Sequence, residues 1–179
     1  MKRKSWDDYF LSIVKQVAER STCLSRNIGC ILVKDNVMIS SGYNGPARGI
    51  PHCGKLRNRL DDHLRNLLEN TIDPVIGSPN TCPRRKLGHP IGTGLELCTA
   101  VHAEMNCIIA AARIGISTKN SILYTSDQVP CSNCFSSIIN SGIKEIVCTN
   151  LTPYRIEDHF VIDNSNIKIR LFESLYKED

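Results

Sequence analysis

The chain has 179 residues, 41% of them apolar, enough to bury one substantial core, so a single domain over residues 1–179 is expected. Its formal charge of +4 falls short of the Lys/Arg-covered face that would suggest duplex binding, and a small anionic substrate fits as well. No apolar run approaches the roughly 20 residues of a bilayer span, and the basic tip of MKRKSWDDYF is followed at once by Asp7 and Asp8 with no apolar core, which argues against a secretory signal and for the cytosol.

Ser5 is placed to cap a helix whose apolar positions Tyr9, Ile13, Val14 and Val17 recur at helical spacing and which ends near Ser21. Ile28 to Val33 and Val37 to Ser41 are short apolar runs separated by Lys34-Asp35-Asn36, a hairpin pattern. From Gly42 to Leu97 the chain is rich in Gly, Pro and polar residues, interrupted by a helical patch over 56–70 with Leu60, Leu64, Leu67 and Leu68 on one side. This reads as an insertion at about 45–97. A structureless loop of that length is improbable in a compact domain, so something other than a core must hold it.

From His102 the run AEMNCIIAAARI is helical and stops at Gly115, where Arg113 suits the negative end of the helix better than a site or a subunit contact. Ser121 to Thr125 then reads as a strand, Cys131 to Ser141 as a helix closed by Gly142, and Lys144 to Cys148 and Ile167 to Phe172 as two more strands. The order predicts an α/β arrangement of helices packed on a mixed sheet.

Nine cysteines are many for a reduced compartment, and their odd number and irregular spacing fit a disulfide framework poorly, so metal binding is the first chemistry to test. A catalytic zinc takes three protein ligands of soft or borderline character and leaves one place for water. His102, Cys131 and Cys134 supply three, the last two in a C-x-x-C at a helix start, where the backbone amides favour thiolates. Glu104, two residues past the histidine, can reach the water without ligating the metal, as an acid and base. A lone C-x-x-C is often a structural zinc half-site or a redox pair, and a lone His is usually packed. Both halves, in this order and each opening an apolar helix, favour a catalytic site. Cys30, Cys107 and Cys148 lie on apolar runs and read as small core residues.

His102-Ala103-Glu104 followed by Pro130-Cys131-Ser132-Asn133-Cys134 is the signature of zinc nucleobase deaminases. With Gly42-Tyr43-Asn44-Gly45, Arg48-Gly49-Ile50-Pro51-His52-Cys53 and Glu96-Leu97-Cys98, it makes the chain resemble the cytidine and deoxycytidylate deaminase superfamily, and within it the deoxycytidylate branch. Two departures bear on the base pocket: Pro46 precedes Ala47 where the family has a small residue and then Pro, and Tyr124 to Cys131 is one residue longer than usual.

The resemblance implies a three-layer α-β-α fold around a central mixed five-stranded sheet, and hydrolysis of dCMP to dUMP and ammonia. It implies catalysis by Glu104 and substrate contacts from Asn44, Ala103 and Tyr154. Without it, Asn44 is equally a turn residue that tolerates left-handed backbone, and Arg26 is as much a surface charge as a bidentate phosphate ligand. It further implies a homo-oligomer, a hexamer, activated by dCTP and inhibited by dTTP. A second, structural zinc would explain what holds the insertion, with Cys23, Cys53, Cys82 and Cys98 as its thiolates. These four are scattered rather than paired, and His52 and His89 are possible substitutes. Phage and bacterial deoxycytidylate deaminases often carry a second zinc with cysteines at the places of Cys23 and Cys53. The rivals are a deaminase of tRNA, of single strands or of free nucleosides, and a non-catalytic zinc-binding module, which would have no use for Glu104. A polynucleotide enzyme would need a basic channel with stacking aromatics, and one Trp, four Phe and five Tyr leave few to spare.

Overall fold

The computed structural model describes residues 3–70, 82–90 and 92–172. In chain order the elements are α1 (Trp6–Ala18), β1 (Gly29–Lys34), β2 (Val37–Tyr43), β3 (Gly45–Pro46), α2 (Lys55–Leu60), α3 (Asp62–Glu69), α4 (Pro83–Lys86), β4 (Ala100–Val101), α5 (Ala103–Arg113), β5 (Ile122–Thr125), β6 (Gln128–Val129), α6 (Ser132–Asn140), β7 (Glu145–Cys148), β8 (Asn150–Pro153), α7 (His159–Asp163) and β9 (Lys168–Leu171). The described residues fall into two compact units, one drawn from Met1–Ser21, Ile28–Asn44 and His102–Asp179, the other from Thr22–Asn27 and Gly45–Val101. The second takes in the stretch read as an insertion at about 45–97. No helix among the described residues is long and apolar enough to cross a membrane.

The first unit is built on a mixed five-stranded sheet in the order β2-β1-β5-β7-β9. β1 runs antiparallel to β2 and β5, while β5, β7 and β9 are parallel. Asp35 (φ 50°) and Asn36 (φ 60°) are both left-handed, the backbone a two-residue hairpin needs between right-twisted strands. The parallel strands need crossovers, and α6 and α7 supply them. Alternation along β1 divides the core. Cys30 and Leu32 pack with Ala103, Cys107 and Ala111 of α5 and Phe135 and Ile138 of α6, whereas Ile31 and Val33 pack with Phe10 and Val14 of α1. Helices therefore cover both faces, three layers in all, and β1 reads as a continuous apolar run because it has no wet side.

The Ser5 hydroxyl accepts the Asp8 N–H at 3.1 Å and starts α1, as the capping pattern requires, but the helix ends at Ala18 rather than near Ser21. Its buried stripe is Phe10, Leu11, Val14 and Ala18, and Tyr9, expected inside, is 46% exposed. Close backbone approach explains the rotation. A Cβ on Gly29 would lie 2.5 Å from Ala18 N and 2.6 Å from Val14 O, so α1 rests on β1 along the Val14–Ala18 line and Tyr9 turns outward against Phe10.

In the second unit β3 and β4 form a short antiparallel pair. The helical patch over 56–70 is two helices: Asp61 leaves helical geometry (φ −102°, ψ 90°), and its side chain accepts the Leu64 N–H at 2.9 Å to start α3. Leu64 and Leu68 are buried, while Leu60 and Leu67 face solvent. The short pairs β3–β4 and β6–β8, and helices α4 and α7, have too few residues to show a period, and the sequence does not announce them.

Candidate active site

Two helix starts build the site. His102 precedes α5 in extended conformation (φ −67°, ψ 154°), with Ala103 and Glu104 as the first helical residues. Cys131 precedes α6 in nearly the same conformation (φ −62°, ψ 159°), and Cys134 lies in its first turn. Both helices pack on the same face of the sheet through Cys107, Phe135 and Ile138.

His102 Nδ1 lies 3.5 Å from Cys131 Sγ and 3.4 Å from Cys134 Sγ. With Zn–S about 2.3 Å and Zn–N about 2.0 Å, a tetrahedral edge between N and S is about 3.5 Å, so both nitrogen–sulfur distances match those of ligands around one zinc ion. Among the described residues this is the one group of three such donors whose ligand atoms all lie within 4.8 Å of one another. The thiols also have the right chemistry. The hydrogen bond from Cys134, helped by His102, holds Cys131 far below an ordinary thiol despite its burial, the direction a zinc ligand needs.

Glu104 is buried, and burial pushes its carboxyl above the usual range, the direction that suits a group exchanging protons near neutrality. Ala103 is fully buried at the helix start. The Tyr154 ring stands edge-on to His102, with centroids 6.4 Å apart. Asn44 is buried but not left-handed: among non-glycine described residues only Asp35, Asn36 and Asn120 have positive φ. Its presence after Gly42-Tyr43 is thus not a matter of turn geometry. Its Oδ1 accepts the Ile28 N–H at 2.8 Å, and Asn106 of α5 donates to the Tyr43 carbonyl at 2.8 Å, tying the end of β2 to the helix that carries Glu104. Arg113 is exposed as the last residue of α5. Cys30, Cys107 and Cys148 are fully buried, and burial raises their thiols, to about 12 at Cys107, as befits inert core residues.

Arg26 is half-buried and belongs to the second unit. In that unit Cys23, Cys53, Cys82 and Cys98 line a single pocket. Arg57 Nη1 donates to Cys53 Sγ at 3.5 Å, and His52 is hydrogen-bonded to Thr22. No three of these sulfurs come within 4.8 Å of one another.

Sequence reasoning missed Ser132, Arg155 and Asp158, which join the loop after β8 to the start of α6. Ser132 lies inside the C-x-x-C, but nothing local in the sequence points to residues 155 and 158.

Residues 4–150 match the family described as the cytidine and deoxycytidylate deaminase zinc-binding region. The chain is 34% identical over 157 residues to a deoxycytidylate deaminase of Schizosaccharomyces pombe, covering 88% of this chain and 40% of that one. It is 32% identical over 152 residues to the deoxycytidylate deaminase of Mycobacterium phage D29, covering 82% and 96%. The chain thus spans less than half the length of the fungal relative. In fold it is similar to the dCMP deaminase of cyanophage S-TIM5 solved with dCMP and dUMP, with a TM-score of 0.64, 21% identity and coverage of 96% and 100%.

Proposed function

Since this chain belongs to the cytidine and deoxycytidylate deaminase zinc-binding family, we propose that it hydrolyses dCMP, exchanging the 4-amino group for oxygen and releasing dUMP and ammonia. The observation that carries the reading is the tetrahedral spacing of His102, Cys131 and Cys134 with the buried carboxyl of Glu104 two residues away. His102 Nδ1 and the two sulfurs would hold a zinc ion, which supplies activation of a water molecule near neutral pH. Glu104 takes a proton from the attacking water and delivers it to N3 of the cytosine, then takes the second proton from the hydroxyl now on C4 and passes it to the amine, which leaves as ammonia while the C4 carbonyl forms. The Ala103 N–H and the Asn44 amide orient the nucleoside, with Tyr154 beside His102; Arg26, in the second unit, offers a guanidinium of the kind that pairs with a phosphate.

Two extensions follow. The four cysteines on one pocket support a second, structural zinc, closed around as the ion binds, which would order a polar segment with little core. Two zinc ions per chain, falling to one in Cys53→Ser, is the expected analysis; one ion per untreated chain defeats it. The exposed Ile109, Ile114 and Ile139, on or beside α5 and α6, support self-association, and a hexamer answering to dCTP and dTTP requires that each bind two states unequally. Sigmoidal dCMP saturation made hyperbolic by dCTP is the expected result, and kinetics indifferent to both triphosphates would refute it.

The reaction itself is tested by ammonia release from dCMP, CMP, deoxycytidine and an RNA hairpin. Activity on dCMP should dominate, and Glu104→Gln should keep the zinc and lose nearly all turnover. Activity on the hairpin alone would overturn the nucleotide reading, and normal turnover in Glu104→Gln would remove that residue from its role.

A further inference from the structure

Beside the site lies a charged cluster to which the chemistry above gives no part. Asp158, at the end of the helical turn Ile156–Asp158, is fully buried. Its Oδ1 accepts the Ser132 backbone N–H at 3.0 Å and an Arg155 Nη2–H at 3.1 Å, and its Oδ2 accepts the Arg155 backbone N–H at 3.0 Å. Arg155 Nη2 also donates to Ser132 Oγ at 3.3 Å. Burial alone would raise the carboxyl, but the hydrogen bonds from Arg155 and Ser132 outweigh it and hold Asp158 below the ordinary range. A buried charge is retained only where such partners satisfy it.

The partners give the cluster its meaning. Ser132 directly follows Cys131 and opens α6 two residues before Cys134. Arg155 directly follows Tyr154, whose ring meets His102. A carboxylate that merely capped its own turn would need only the Arg155 N–H, whereas Ser132 is 26 residues away.

We propose that Asp158 is a positioning residue, a clasp that fixes the Cys131–Cys134 turn through the Ser132 N–H and Tyr154 through the Arg155 N–H. It acts on metal geometry through the first and on substrate binding through the second. The proposal rests on reading the site as the zinc centre of a deaminase. Asp158 touches no reacting atom.

The test compares purified wild-type protein with Asp158→Ala, Asp158→Asn and Ser132→Ala. The readouts are zinc release to a colorimetric chelator, the visible spectrum of the Co(II)-loaded protein, and kcat and KM for dCMP. Asp158→Ala should release zinc about 10–100-fold faster, the scale found for groups that orient metal ligands, with shifted cobalt bands and a raised KM. Asp158→Asn keeps an acceptor for Ser132 but presents an N–H to that of Arg155. Its zinc release should recover toward wild type while its KM stays high. Ser132→Ala retains the backbone N–H and should hold zinc like wild type. Wild-type zinc release, spectrum and KM in Asp158→Ala, with only a lower Tm, would overturn the proposal. If that variant does not fold, wild-type KM in Asp158→Asn would do the same. A wild-type chain silent on every cytosine compound would sink the deaminase reading, while zinc release and the cobalt spectrum would still decide the role of Asp158.

Discussion

Gly42 is the position where one methyl group should do most damage. Its φ is not positive, so space rather than conformation demands glycine. A Cβ there would lie 2.5 Å from Ala103 O and 2.8 Å from Asn106 C, with Cys107 N closer still, all backbone atoms of α5. Ordinary contact begins near 3.4 Å, so the helix would have to retreat by about 1 Å. Overpacking of this kind costs about 1–3 kcal/mol, and rigid backbone on both sides places Gly42→Ala toward the upper end. The retreat also moves Ala103 and Glu104 with their helix, and a displacement of about 1 Å at reacting groups is worth about 100-fold in rate. Gly45, in the same G-Y-N-G segment, is the control, since a Cβ there meets only Thr22 Oγ1 at 3.9 Å. Urea unfolding and dCMP kinetics on both alanine variants decide the matter. Wild-type stability and rate in Gly42→Ala, or equal harm from Gly45→Ala, would refute the reasoning.

Asp7 accepts hydrogen bonds from Tyr124 at 2.8 Å and from Arg170. Partial burial raises its carboxyl, but these bonds prevail and hold it below the ordinary value of 3.8. A depressed folded pKa contributes stability above the unfolded value and loses it as pH falls through the folded one. Asp7→Asn should therefore cost about 1 kcal/mol at pH 7, screened because both partners are partly exposed. The gap to wild type should narrow as pH falls below about 4 in urea titrations; a gap as wide at pH 2 as at pH 7 contradicts the assignment. Asn44→Ala leaves the Ile28 N–H without its acceptor and should cost about 1–3 kcal/mol. Asn44→Asp keeps that acceptor, so it should hold its Tm and raise KM for dCMP. An unchanged KM would leave Asn44 a purely structural role.

Much of the site was legible in the sequence because its chemistry is local. His102 and Glu104 sit two residues apart and Cys131 and Cys134 three, so each half is held by one helix start, and the helix and strand periods around them are long enough to read. The five sheet strands and the three long helices of the first unit were visible for the same reason. Tertiary packing decided the rest. That α1 turns Phe10 inward and Tyr9 outward depends on the absent side chain of Gly29, which acts only once helix and strand meet. That Gly42 belongs to the packing of α5, and Asn44 to the backbone of Ile28, appears only when chain segments far apart in sequence are brought side by side. Asp158 is the clearest case: a common acidic residue in a surface-like run becomes a buried carboxylate because α6 presents an unpaired N–H to it from 26 residues away.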